Sequence, residues 1–205
     1  MSLMQSFRSA GLAGVVALAA SGAAQATAKI GQAAPAFEVA GAAGKPVKLS
    51  DFNGKYVVLE WTNEGCPFVQ KHYKTGNMQG LQKEFTGKDV AWLTVFSSAE
   101  GKQGYVDAAG AKKFAADNKT ASTAMLLDDT GKVGKLYDAM TTPHMYVIDP
   151  AGKLIYMGGI DDTPSADSAD IPKSKNFVQL ALNEALAGKP VTTPVSKPYG
   201  CSVKY

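Results

Sequence analysis

From Phe37 onward, short apolar runs alternate with stretches that are apolar on one side only. Phe37 to Val39 and Val47 to Leu49 flank "AGAAGKP", whose glycines and proline read as a turn, so the chain opens on a predicted hairpin. "KYVVLEW" (Lys55 to Trp61) is a compact apolar run rich in β-formers, the pattern of a buried central strand. A helix is expected from Cys66 to Phe85 on the apolar points Phe68, Tyr73, Met78, Leu81 and Phe85, with Gly76 and Gly80 weakening its middle.

The alternation continues with a buried strand over Val90 to Ser98 and a helix from about Gln103 to Asn118. A short strand, Thr123 to Leu127, and a short helix through Val133, Leu136 and Tyr137 come next. "HMYVID" and "KLIYMG" flank Pro150-Ala151-Gly152, which is hairpin punctuation. A last helix, Ser174 to Leu186, carries a stripe of Val178, Ala181, Leu182, Ala185 and Leu186, and Gly188 and Pro190 end it. The acidic stretch Asp161 to Asp170 reads as an exposed, solvated loop. This order predicts an α/β fold, a mixed central β-sheet with helices on both faces and an N-terminal β-hairpin extension.

The first 26 residues do not belong to that pattern. Arg8 is their only charge, the apolar run Ala10 to Ala20 follows, and "AQA" at Ala24 to Ala26 offers small residues for a signal peptidase. The run is shorter than the roughly 20 residues a membrane span needs. Residues 1–26 are therefore expected to be a secretory signal, with residues 1–3 an expression scar ahead of Met4. Residues 27–187 form one domain and residues 188–205 a mobile tail. The mature protein is expected to be exported, periplasmic in a bacterium with an outer membrane, and to have no membrane span.

Charge excludes one class of partner. The chain has 21 Lys+Arg against 18 Asp+Glu, and losing Arg8 brings the mature balance closer still to neutral. No basic block interleaved with aromatics is present, so nucleic acid is not an expected partner.

The candidate chemistry lies at "NEGCPFVQKHY". Cys66, at the head of a helix, feels the positive end of the helix dipole and unpaired backbone N–H groups, which favour its thiolate. Pro67 suits the first helical position, where its missing N–H has no partner in any case. A local C-x-x-C pair would need a second cysteine at Val69. The competing view of Cys66 is a small buried hydrophobe, but a position just after a buried strand and its turn is where such sheets present reactive groups. Lys71 and His72 read as surface residues. The second cysteine, Cys201, is open to three readings: a structural half-cystine, a resolving thiol or a free surface thiol. In an exported protein the two can persist as a disulfide.

From about Ile30 to Leu186 the chain resembles the thioredoxin-like superfamily, specifically the exported redoxins related to the alkyl hydroperoxide reductase and thiol-specific antioxidant (peroxiredoxin) family. "GQAAPAFEVAGAAGKPVKLSDFNGKYVVLEW" is similar to their opening hairpin and first core strand, and "TTPHMYVIDPAGKLIYMGG" resembles their cis-proline loop and closing hairpin. The resemblance implies a thioredoxin-like fold with Cys66 as the reactive cysteine and Thr142 and Pro143, joined by a cis bond, as a docking site for thiol substrates. Trp61, Asn63 and Pro67 support it. His144 belongs to the following strand and has no catalytic role. By the same resemblance Cys201 is a distant resolving cysteine.

Two departures matter. Peroxiredoxins usually place a threonine three residues before the reactive cysteine, where this chain has Asn63, and an arginine where alignment puts Pro143. The leading expectation is thus an exported thiol-disulfide oxidoreductase, and the alternative a peroxiredoxin-like peroxide reductase with antioxidant activity. Lower-ranked readings are a scaffold with a structural Cys66–Cys201 disulfide and a copper(I) binder using thiolates with His72 or His144. No cofactor and no resident metal are called for. The expected partners are thiol or disulfide proteins or small peroxides, plus an external thiol reductant. Whether the cysteines pair within one chain or across a homodimer is left open.

Overall fold

The computed structural model of the chain describes residues 27–205. The segment read as a signal, residues 1–26, lies outside the described residues. Among those described, the central sheet has seven strands in the order β2-β1-β5-β4-β3-β7-β8. The strands are β1 (Glu38–Gly41), β2 (Pro46–Lys48), β3 (Val57–Trp61), β4 (Ala91–Phe96), β5 (Ala124–Leu127), β7 (His144–Ile148) and β8 (Leu154–Gly158). β3, β4 and β5 run parallel, while β7, β8 and the β1–β2 hairpin are antiparallel to their neighbours. A separate two-stranded pairing joins β6 (Thr141–Thr142) to β9 (Cys201–Ser202).

The strict period of two along β3 sorts the core into two layers. Val58 faces a layer built from α1 (Pro67–Lys74), α2 (Asn77–Thr86), α3 (Ala108–Asn118) and α5 (Phe177–Leu186). Val57, Leu59 and Trp61 face the other layer, closed by α4 (Lys132–Tyr137) and the N-terminal segment around Ala28 and Phe37. Helices thus cover both faces, and the hairpin extends the sheet at β5, as the sequence predicts. No helix among the described residues is long and apolar enough to cross a membrane.

Three helix boundaries differ from the sequence reading. The expected helix from Cys66 to Phe85 is two, because Gly76 adopts φ +75° and turns the chain between α1 and α2. Gly80 stays inside α2. α3 starts at Ala108, since the Asp107 carboxylate caps it by accepting from Gly110 N at 2.7 Å. In the same way Asn176 caps α5, whose start moves to Phe177.

The tail expected to be mobile is seated along its length. Thr192 bonds the Glu184 carboxylate through its N–H and its hydroxyl. Ser196 N–H donates to Met157 O at 3.1 Å, Val203 N–H to Met140 O at 3.0 Å, and Tyr205 Oη to Ala139 O at 2.5 Å. The proline, serine and threonine content that suggests mobility instead supplies extended backbone and short hydroxyls that bond to the domain.

Candidate active site

Asn63 builds the turn that delivers Cys66. Its Oδ1 accepts from Gly65 N–H at 3.0 Å, its Nδ2 donates to Gln103 Oε1 at 2.9 Å, and its carbonyl accepts from Cys66 N–H at 3.0 Å. Cys66 is then the N-cap of α1, with Pro67 in its first turn. Trp61 lies in the opposite core layer, where its indole donates to Ser97 Oγ at 2.9 Å, so it shapes β3 without touching the cysteine layer.

The Thr142–Pro143 peptide is cis. The Cys66 thiol donates to Thr142 O at 3.1 Å, which fixes the sulfur beside this loop. β9 runs antiparallel to β6 with Thr142 opposite Cys201. The pairing brings Cys201 from the end of the chain to pack against the core cluster that holds Cys66, and both cysteines are free thiols. Gly200 makes this approach possible: its φ is +133°, and a Cβ there would collide with Thr142 O.

The two thiols are made unequal. Burial pushes the Cys66 thiol up, but hydrogen bonding from the Cys201 thiol, from the backbone at Val69 and Cys201 and from Thr142 outweighs it, so its pKa falls below the ordinary value. Cys201 is pushed up to about 11 by its own burial, the hydrogen bond to Cys66 and the charge on Cys66. Access is divided the other way. Cys66 is 0% exposed beneath the tail, whereas Cys201 is partly open to solvent.

Several charged residues sit otherwise than the sequence suggests. Lys71 and His72, read as surface residues, are buried, because the loop after β8 and the tail both pack on α1. Asp161, read as the start of a solvated loop, is buried with them. Its carboxylate lies 3.6 Å from Lys71 Nζ and 3.8 Å from His72 Nε2, and it accepts a hydrogen bond from Tyr199 Oη. Lys71 Nζ also donates to Thr163 O at 3.2 Å. Burial, with Lys71 nearby, lowers His72 to about 4 against the pull of Asp161, and burial alone lowers His144 to about 4, so both rings are neutral at physiological pH. His144 lies in β7, its Nδ1 beside Met140 N–H and Tyr146 Oη. Among the described residues no group of three or more His, Cys, Asp or Glu could hold a metal.

The apolar run of β3 hides one functional-looking group, Glu60. Its carboxylate is fully buried on β3 and accepts from Tyr73 Oη at 2.6 Å, Trp92 Nε1 at 2.7 Å and Gln82 Nε2 at 3.0 Å. Desolvation outweighs those donors and raises its pKa to about 7. A lone carboxylate in an otherwise apolar central strand is the signal that could have revealed it.

A mixed sheet with a cysteine at a helix start, set against a cis-proline loop, defines a thioredoxin-like protein. The chain belongs to the AhpC/TSA family, whose model matches residues 30–157. It is 30% identical over 121 residues to peroxiredoxin Bcp of Bacillus subtilis, covering 55% of this chain and 65% of that one, so the match spans just under two thirds of the relative. An uncharacterized conserved protein from Geobacillus kaustophilus has a similar structure, with a TM-score of 0.72 and 27% identity over 86% of this chain and 92% of the other. The thioredoxin domain of a thiol-disulfide oxidoreductase from Bacteroides vulgatus is similar with a TM-score of 0.50 and 25% identity, over 64% of this chain and 89% of that one. Cys66 and Pro143 lie inside the family match, while Cys201 lies beyond it.

Proposed function

We propose that this protein is a thiol-disulfide oxidoreductase in which Cys66 is the nucleophile and Cys201 the resolving thiol of the same chain. The observation that carries this reading is the β6–β9 pairing, which sets Cys201 of the C-terminal tail opposite Thr142, the residue whose carbonyl accepts from the Cys66 thiol. The Cys66 thiolate attacks one sulfur of a substrate disulfide, forming a mixed disulfide and expelling the other sulfur as a thiolate. Cys201 then loses its proton and attacks the Cys66 sulfur, forming the Cys66–Cys201 disulfide and expelling the second substrate thiolate. The substrate gains two electrons and the protein loses them; an external dithiol returns them by the reverse exchange.

The inequality of the thiols orders these steps. While Cys66 is a thiolate, its charge and hydrogen bond hold the proton on Cys201. Once the Cys66 sulfur is bonded to substrate that charge is gone, and Cys201 ionises more readily at the moment it is needed. Because Cys66 is 0% exposed, the tail must lift from β6 before a protein disulfide can reach it.

A second reading is supported by the family match and by the name of the Bacillus subtilis relative. In it a peroxide oxidises Cys66 to a sulfenic acid, with which Cys201 condenses, releasing water. Against efficient peroxide chemistry, the Asn63 side chain is engaged with Gly65 and Gln103 and offers no hydroxyl, and Pro143 stands where an arginine is usual. Disulfide reduction and peroxide consumption measured side by side, with the linkage mapped by non-reducing peptide mass spectrometry, test both readings. A Cys66–Cys201 linkage that forms and disappears with turnover is expected, and the faster substrate selects the reaction. A linkage that stays unchanged while neither substrate is consumed would overturn both. On export, which the leader-like pattern of residues 1–26 supports, the protein would work in an oxidising compartment.

A further inference from the structure

The helix that presents Cys66 also grips the tail that presents Cys201. Two residues before Cys201, the Tyr199 ring stands edge-on to Phe68 at 5.8 Å between centroids, and Lys71 Nζ lies 5.7 Å from the centre of the same ring. Phe68 and Lys71 both belong to α1, the helix capped by Cys66. Tyr199 Oη donates to Asp161, whose carboxylate is held between Lys71 and the backbone N–H of Thr163, with side-chain exposures of 0% for Lys71 and 3% for Asp161. This is a charge-assisted hydrogen bond formed away from water, the strong kind. It uses buried charges that no step of the exchange requires.

We propose that Asp161 and Tyr199 are positioning residues of the redox pair: their hydrogen bond latches the tail to the loop after β8, where Lys71 of α1 holds Asp161, and so sets how often Cys201 uncovers Cys66. Besides the β6–β9 pairing at Cys201 itself, where Thr142 Oγ1 also donates to Cys201 O at 3.4 Å, the other tail contacts lie to either side. Ser196 is tied to Tyr156 Oη at 2.7 Å and to Gly159 N–H at 3.0 Å on one side, and Val203 to Met140 on the other. The Tyr199 latch is the side-chain anchor nearest to Cys201 on the N-terminal side, and lifting Cys201 away from β6 breaks it. Every opening of the site therefore carries the cost of this bond. Weakening it multiplies the open population by the factor the bond supplied. The proposal rests on the redox reading only for its consequence, that latch strength tunes the balance between shielding Cys66 and admitting a substrate.

Alkylation of the reduced protein by iodoacetamide, followed by peptide mass spectrometry, reads the opening without any turnover. A failure of the latch is thereby distinguishable from a failure of the redox reading. In Tyr199→Phe the ring and its contacts with Phe68 and Lys71 remain and only the hydroxyl is lost. Cys66 is expected to be alkylated about tenfold faster or more, the factor set by a hydrogen bond to a charged group. Hydrogen exchange should quicken in the tail peptide holding Cys201 and Ser202 and stay unchanged in Val57 to Trp61. Asp161→Ala should also accelerate alkylation, and Tyr199→Phe added to it should give little further increase, because both changes remove the same bond. An unchanged Cys66 rate in Tyr199→Phe overturns the proposal. So does acceleration matched by faster exchange throughout β3, which is general loosening, or full additivity of the two variants, which means they act separately.

Discussion

Thr142 and Cys201 stand opposite each other in the antiparallel β6–β9 pair, and the Thr142 carbonyl also accepts from the Cys66 thiol at 3.1 Å. One residue beside the cis-proline thus touches both cysteines. The pair is assembled across the cis-proline loop rather than within one helical turn, and Val69, where a C-x-x-C protein has its second thiol, is simply part of the core. Each consequence of this arrangement can be measured.

Cys201→Ala removes the thiol that does most to lower the Cys66 pKa, while Cys66 keeps its place at the head of α1. The midpoint of the Cys66 thiolate absorbance should move to higher pH. The same variant should accumulate a stalled mixed disulfide on Cys66 when given a disulfide substrate. A midpoint that stays where the parent has it would show that Cys201 does not tune the Cys66 thiol.

Gly200→Ala places a methyl group against Thr142 O at a backbone φ of +133°. Strain of this kind costs about 1–3 kcal/mol. The fraction of Cys66–Cys201 disulfide at a fixed dithiothreitol ratio should fall by about tenfold or more, with little change in thermal stability, because the tail is displaced and the core is not. An undiminished disulfide fraction would mean that the tail reaches Cys66 without the β6 pairing.

Lys71→Met leaves the Asp161 carboxylate buried without its cation. Breaking a buried pair from one side typically costs about 3–5 kcal/mol. Urea denaturation should show a loss of that order, and Lys71→Met combined with Asp161→Asn should recover part of it. A single variant as stable as the parent would place both groups in water.

Glu60 gives a pH-dependent prediction. Its folded pKa is about 7 against an ordinary 4.5, so between those values the folded protein holds a proton that the unfolded chain has released. The stability from the protonated group is complete below about 4.5 and is lost as pH rises through 7, a difference of about 3 kcal/mol. The buried neutral histidines, His72 and His144, act in the opposite sense, since the unfolded chain takes up their protons below about 6.5. The difference between the parent and Glu60→Gln isolates the glutamate. The variant should gain relative to the parent between about pH 5 and pH 8, and a constant difference across that range would refute the assignment.

Much of the fold is legible because it follows from local pattern. The apolar run ending in Trp61, the stripe on α5 and the turn at Pro150 to Gly152 each carry their own period or punctuation. Boundaries slipped where one side chain decides the matter, as with the Asp107 and Asn176 caps and the left-handed Gly76. The charged residues near the site were harder to place. A charge in a helix or loop is exposed by default, and Lys71, His72 and Asp161 escape that default only because three distant segments meet around them.

The sequence by itself determined the order of strands and helices, the place of Cys66 at the head of a helix and the absence of a neighbouring cysteine partner, since periodicity, helix capping and spacing are properties of adjacent residues. The tertiary structure decided that the β6–β9 pairing sets Cys201 opposite Thr142 and so near Cys66, that Tyr199 of the tail bonds to Asp161, and that Glu60 and Asp161 are buried. Those outcomes depend on which segments share space, and burial, desolvation and thiol contact arise only after the chain has brought them together.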